Sequence, residues 1–212
     1  MSQSKRFKQL QKRLSELRRH MLPSKFSPTG FYSPREEDRA RGYRLLTHAE
    51  IESYLEDQAR SVVTDRIRAW KKSQTPSNLL LAFLACYHSG WVDYDEENNI
   101  RIIELSKSRK KINEAVSEII DQAQTQFIKN LQGNHGVREK NLKMLILPTG
   151  VDLSDLDATW IADLDDFGKQ RGEIAHNTKM TTGSINPQDE YNRVKNLLIG
   201  LKELDQRLIQ VL

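Results

Sequence analysis

Phe7, Leu10, Leu14, Leu17 and Met21 recur at spacings of three and four, so an amphipathic helix is expected near the N-terminus, its apolar stripe docked on other protein surface. Residues 23–40, PSKFSPTGFYSPREEDRA, contain three prolines and a glycine and read as a linker. From about Tyr43 to Lys72 the pattern is helical again, with Ile51, Leu55, Ala59, Val62, Val63, Ile67 and Trp70 on one face. Ser77 is placed to cap a short helix, NLLLAFLACYH, which is apolar nearly all round and is expected to be central in the core. GWVDYDEENN then reads as a polar loop. A long helix is expected from about Ile100 to Leu131, with Ile112, Val116, Ile119, Ile120, Ala123 and Phe127 inward.

QGNHG should end that helix, because glycine tolerates the left-handed conformation a helix terminus favours. REKNLKMLI is a short helix stopping before Pro148. Asp152, Ser154 and Asp155 can each cap the next helix, which keeps its spacing through Trp160, Leu164, Phe167 and Ile174 to His176. Asn186-Pro187 opens the last helix, cap then first turn. Its Val194, Leu197, Leu201, Leu204, Leu208 and Val211 form a heptad seam, which can close a bundle or make a dimer. No strand alternation of useful length and no internal repeat occurs. The expected fold class is all-α, a helical bundle with an extra N-terminal amphipathic helix. The domain division expected is 1–40, basic helix and linker, and 41–212, the helical domain.

Composition narrows the class. With 37% hydrophobic and 29% charged residues over 212 positions, a soluble globular protein is expected, without a transmembrane helix or signal peptide and cytoplasmic by default. Cys86 is the single cysteine, which excludes an internal disulfide and a multi-cysteine zinc site; it reads as a small buried hydrophobe. The net charge of +4 is unevenly placed, since residues 1–44 hold twelve Lys and Arg against four Asp and Glu. A basic arm of this kind suits nucleic acid or an acidic partner, or is a solvated helix face.

Most familiar sites are missing. There is no glycine-rich phosphate loop, no HExxH and no GxSxG, and the five histidines never take metal-ligand spacing. Asp93, Asp95, Glu96 and Glu97 crowd one loop without the glycine and terminal glutamate of a calcium loop, so no metal and no cofactor is expected.

Arg171 and His176 remain, in RGEIAHNT at the end of a predicted helix. A histidine titrating near neutrality can take the proton of a ribose 2′-hydroxyl or give one to a leaving 5′-oxygen. An arginine can hold the non-bridging oxygens as charge builds in the transition state. RNA supplies its own nucleophile, so this chemistry needs no metal. Five residues of helix rotate the two side chains by about 140°, so one copy pairs them poorly and two copies across a two-fold axis would serve better. Spacing alone discriminates little, because Arg13…His20 and Arg41…His48 fit as well among seventeen arginines and five histidines. Without the catalytic role, His176 is a helix-ending residue favoured by the macrodipole, with Asn177 stopping the helix.

Three longer blocks carry more information: LLTHAEIESYLEDQA (45–59), NHGVREKNLKMLILPTGVDLSDLD (134–157) and TWIADLDDFGKQRGEIAH (159–176). Together with the Arg-x4-His spacing, they resemble the RiboL-PSP-HEPN branch of the HEPN domains over about residues 41–212. That resemblance implies a helical bundle, usually a homodimer, whose paired motifs form a metal-independent endoribonuclease site, often in toxins or bacterial defence effectors. By position Arg171 would bind phosphate and His176 act as acid and base. Glu52, Asn134, His135, Glu173 and Asn177 are candidate supporting residues. Two departures stand out. Gly172 follows the arginine where many such motifs are polar, and would permit close helix approach. Thr178 stands where toxins controlled by a nucleotidyltransferase carry tyrosine, so control by tyrosine modification is not expected. The expected partners are an RNA substrate, a second copy, and an antitoxin or defence-system protein, with no membrane. The alternatives are a catalytically inactive module for RNA or protein binding, and the inhibited half of a two-gene system.

Overall fold

The computed structural model describes residues 3–87, 112–176 and 183–211. Among them are seven α-helices and no strand: α1 Lys5–Met21, α2 Pro34–Ser73, α3 Asn78–Cys86, α4 Ile112–Gln132, α5 Glu139–Ile146, α6 Ala158–His176 and α7 Pro187–Gln210. The all-α class is therefore observed. Two short 3-10 turns, Leu147–Thr149 and Leu153–Asp155, join α5 to α6. The GWVDYDEENN loop with its acidic cluster, and the first part of the long helix expected from Ile100, lie outside the described residues, as do Asn177 and Thr178.

The chain divides into two compact units. The first contains α1, α2 as far as Leu55, residues 135–142, α6 and α7. Here Ser4 caps α1 by accepting the Phe7 amide at 3.0 Å, and Phe7, Leu10, Leu14 and Leu17 are buried. α1 and α6 both pack on α7. The seam of α7 faces inward, with Val194, Leu197, Leu201, Leu204 and Leu208 all at 2% exposure or less, so it closes this unit and leaves no dimer stripe. Val211, the last residue of the expected seam, lies past the helix and is half-buried.

Two carboxylates sit inside this apolar unit. Asp205 accepts the Ser4 amide at 2.8 Å, the Ser4 hydroxyl at 2.5 Å and the Tyr54 hydroxyl at 3.0 Å, tying α1 and α2 to α7. Glu190 takes both arms of the buried Arg44 fork, Nε at 2.6 Å and Nη2. α6 and α7 approach closely at Gly200, where an added side-chain carbon would collide with the Trp160 ring; the Trp160 indole N–H donates to the Leu197 carbonyl at 3.1 Å.

The second unit contains α2 from Glu56, α3, α4 and residues 143–153. α3 packs on α4 and on the Leu147–Thr149 turn, where Gly150 takes φ +80° close to the Leu79 backbone. Ser77 caps α3 as expected, accepting the Leu80 amide at 3.2 Å. The expectation that α3 is central fails, because Leu81 is 57% exposed and only Leu79, Leu80 and Phe83 are buried. On α4, Ile120, Ala123 and Phe127 are buried, while Val116 and Ile119 are half-buried; the Ile112 side chain lies outside the described ones. Cys86 is half-buried, and burial raises its thiol pKa.

Three local expectations are corrected by specific bonds. The linker does not reach residue 40, since α2 begins at Pro34. Ser33 Oγ accepts the Glu36 amide at 3.4 Å, and Glu36 accepts the Ser33 amide at 2.9 Å, a reciprocal capping box with proline at the first position. Proline was read there as a breaker, although a first-turn amide has no helical partner to lose. Gly133 ends α4 without a left-handed φ. Neither Asp152, Ser154 nor Asp155 caps α6: Asp157 does, accepting the Thr159 amide at 2.8 Å.

Candidate functional site

α6 positions the two residues that the sequence singled out. Its apolar face buries Trp160, Leu164 and Phe167, which fixes its rotation. Arg138 grips Asp165 with both arms, at 3.1 and 3.2 Å, and Asp165 also accepts the first amide of α5 at 2.9 Å. That arginine, then the amide, holds the Asp165 carboxyl below the usual range.

Arg171 is half-buried, and its Nε is enclosed with no hydrogen-bond acceptor. His176 is the last residue of α6; its side chain lies outside those described. Five residues of helix separate the two positions by about 140°, and of the four residues between them in the chain Ala175 and Gly172 lie in that arc, at about 40° and 100° from Arg171. A side-chain carbon at Gly172 would meet nothing within 4 Å among the described residues. The close helix approach expected at Gly172 is thus not found there, and the arc is open at that point.

His48 joins this site from α2. It is 1% exposed, its ring lies 5.8 Å from that of Phe167, and its Nδ1 has no hydrogen-bond partner. Glu52 Oε2, one turn along α2, is 3.5 Å from Nδ1, beyond good hydrogen-bond range. Burial first, then the charge of Arg171, lowers the His48 pKa to about 4. The imidazole is neutral at pH 7, which keeps a second cation away from Arg171. The spacing of His48 and Glu52, four apart on a helix face, was the available signal for this residue, and it was passed over as a chance Arg41…His48 match.

The supporting candidates separate. Glu52 lies with His48, and Arg171 is close enough to bias that histidine. Glu173 is exposed and borders a cavity of about 170 Å³ with Arg41, Arg44, Gln170, Ile174, Ser184 and Ile185. His135 is exposed. Asn134 is buried in the second unit, where its amide donates to Glu56 at 2.8 Å. Asn177 lies outside the described residues. Among the described residues, no three His, Cys, Asp or Glu are grouped to hold a metal ion, and no helix is long and apolar enough to cross a membrane.

The low pKa of His48 has a measurable consequence. The unfolded chain binds a proton near 6.5 and the folded one near 4, so stability is complete above pH 6.5 and falls as pH drops toward 4. Between pH 7 and 5 the expected loss from this group is about 2 kcal/mol. Urea midpoints at the two pH values should therefore differ less in His48→Gln than in the wild type; equal differences would remove His48 as the cause.

A model of the RiboL-PSP-HEPN family matches residues 8–210. The chain belongs to the RiboL-PSP-HEPN family. The matched span of this HEPN protein covers α2 through α7 and all but the first turn of α1. No curated protein and no solved structure matches it.

Proposed function

We propose that this HEPN protein is an endoribonuclease that cuts single-stranded or looped RNA without a metal ion, at a composite site made by two copies of the chain. The observation that carries the proposal is Arg171, whose enclosed Nε has no acceptor, on the helix that His176 ends. A half-buried arginine beside a neutral histidine suits an incoming phosphate oxygen, which its guanidinium would meet from the accessible side. The open arc at Gly172 leaves room for that phosphate.

In this mechanism the 2′-hydroxyl gives its proton to one His176, and the 2′-oxygen attacks phosphorus. The P–O5′ bond breaks, and the departing 5′-oxygen takes a proton from the second copy's imidazolium. Arg171 balances the extra charge on the non-bridging oxygens. Two copies supply the acid and the base together, since one chain brings a single His176 to the site. Because the α7 seam is spent inside the chain, the two-copy interface would use another surface. A toxin or defence role, with a partner protein that restrains cleavage, is the physiological setting we attach to this activity.

Purified protein incubated with labelled single-stranded RNA in EDTA should leave 2′,3′-cyclic phosphate and 5′-hydroxyl ends, and a 2′-deoxy substitution at the cut nucleotide should block that cut. Cleavage that needs added magnesium, or that yields 5′-phosphates, would refute the mechanism. Retarded RNA mobility with no cutting at any pH would favour a non-enzymatic binding module.

A further inference from the structure

The buried stripe of α1 is Phe7, Leu10, Leu14 and Leu17, and the face opposite it carries exposed cations. Lys5, Lys8, Lys12 and Arg19 are all exposed and lie within about 60° of one another around the helix axis. They span about 21 Å of its length, as fourteen residues of helix must. Among the described residues none of the four side chains has a hydrogen bond or ion pair. Glu16 is the one acidic residue of α1, and it is engaged by Arg13 at 3.5 Å. Arg39, exposed at the start of α2, donates to the His20 carbonyl and so extends the row past Arg19.

Like charges three and four residues apart disfavour a helix, so the row is maintained against a local cost. A straight line of unpaired cations on a rigid helix matches the regular charges of a nucleic-acid backbone, and neutralising them releases condensed counterions. A membrane surface fits less well. Interfacial helices put their apolar face into lipid, and here that face is committed to the protein, while Gln9, Gln11 and Ser15 flank the cations.

We propose that the exposed face of α1 is a docking track for the RNA backbone, which binds phosphates of the substrate outside the cleavage site. This rests on the RNA reading of the Arg171/His176 site and adds the surface by which long RNA is captured. Phosphate contacts of this kind position the substrate without reading its bases.

The test uses the full chain with His176→Ala, so that RNA stays intact, and measures affinity for a single-stranded 20-mer across a potassium chloride series. Replacing Lys5, Lys8, Lys12 and Arg19 by glutamine should make the salt dependence shallower by about 0.7 per cation, close to 3 log units per log unit of salt. Ser15→Lys, which fills the gap in the row, should steepen it by about 0.7. Both variants should keep the wild-type helix signal, because every altered side chain is exposed, with melting shifted only by the small like-charge cost, slightly up in the glutamine variant and slightly down in Ser15→Lys. Unchanged salt slopes in both variants would overturn the proposal. So would loss of binding to phosphatidylserine vesicles with RNA affinity intact, which would make the track a membrane contact. In chains with His176 restored, the glutamine variant should raise KM for long RNA at least tenfold with kcat unchanged, and leave dinucleotide cleavage as it was. If no chain cuts RNA but the salt slopes change as stated, the ribonuclease proposal fails and the docking track stands.

Discussion

Alanine at His176 is expected to slow RNA cleavage by about 10²- to 10⁴-fold, and alanine at Arg171 by about 10²- to 10³-fold, with both variants as stably folded as the wild type. The histidine figure is the usual worth of a positioned acid or base. The arginine figure is that of a cation set against developing oxyanion charge, the role proposed for the half-buried Arg171. Lysine at 171 should restore little, because an ammonium lacks the planar fork that can hold two oxygens. Mixing matters more than either single change. Wild-type chains mixed with His176→Ala chains should lose activity more steeply than in proportion, because a mixed pair holds one His176 and lacks the acid or the base of the shared site. Initial rates in EDTA decide this. Full activity in His176→Ala would remove the proposed chemistry, and activity falling in strict proportion to the wild-type share would remove the shared site.

The largest expected effect on stability lies at the buried Arg44–Glu190 pair. Arg44 is 8% exposed and Glu190 2% exposed, and the guanidinium fork meets the carboxylate through both arms. Removing either partner leaves an uncompensated charge inside the first unit, at a cost of about 3–5 kcal/mol. For a chain of this length that lowers Tm by roughly 10 °C. Replacing both residues by leucine should cost much less than the sum, because neither desolvated charge is then left alone. Calorimetry on the two single variants and the double settles it. Additive losses would show that the pair is not coupled.

Cleavage and stability thus depend on features with different visibility in the sequence. The buried faces of α1, α2 and α7 were legible because apolar spacing reports helix rotation directly. The caps at Ser77 and Asn186 were legible because Ser77 stands just before an apolar run and Asn186 just before a first-turn proline. The start of α2 was signalled by Ser33-Pro34-Arg35-Glu36, but the prolines around it were read as a linker. The cap at Asp157 was not legible, since four polar residues before α6 are chemically equivalent until the chain is folded.

The sequence by itself determined an all-α fold, the helix that presents Arg171 and His176, and the 140° that separates them, because these follow from local periodicity. Only the tertiary structure decided which polar groups lost their water. Glu190 and Asp205 interrupt no apolar pattern, yet contacts from α1 and α2 enclose both. His48 entered the sequence reading only as half of a chance Arg41…His48 spacing, and burial beside Phe167 and Arg171 keeps it neutral. Likewise the α7 seam could have served a dimer as well as a bundle. Packing of α1 and α6 against it settled that choice, since desolvation depends on neighbours distant in the chain.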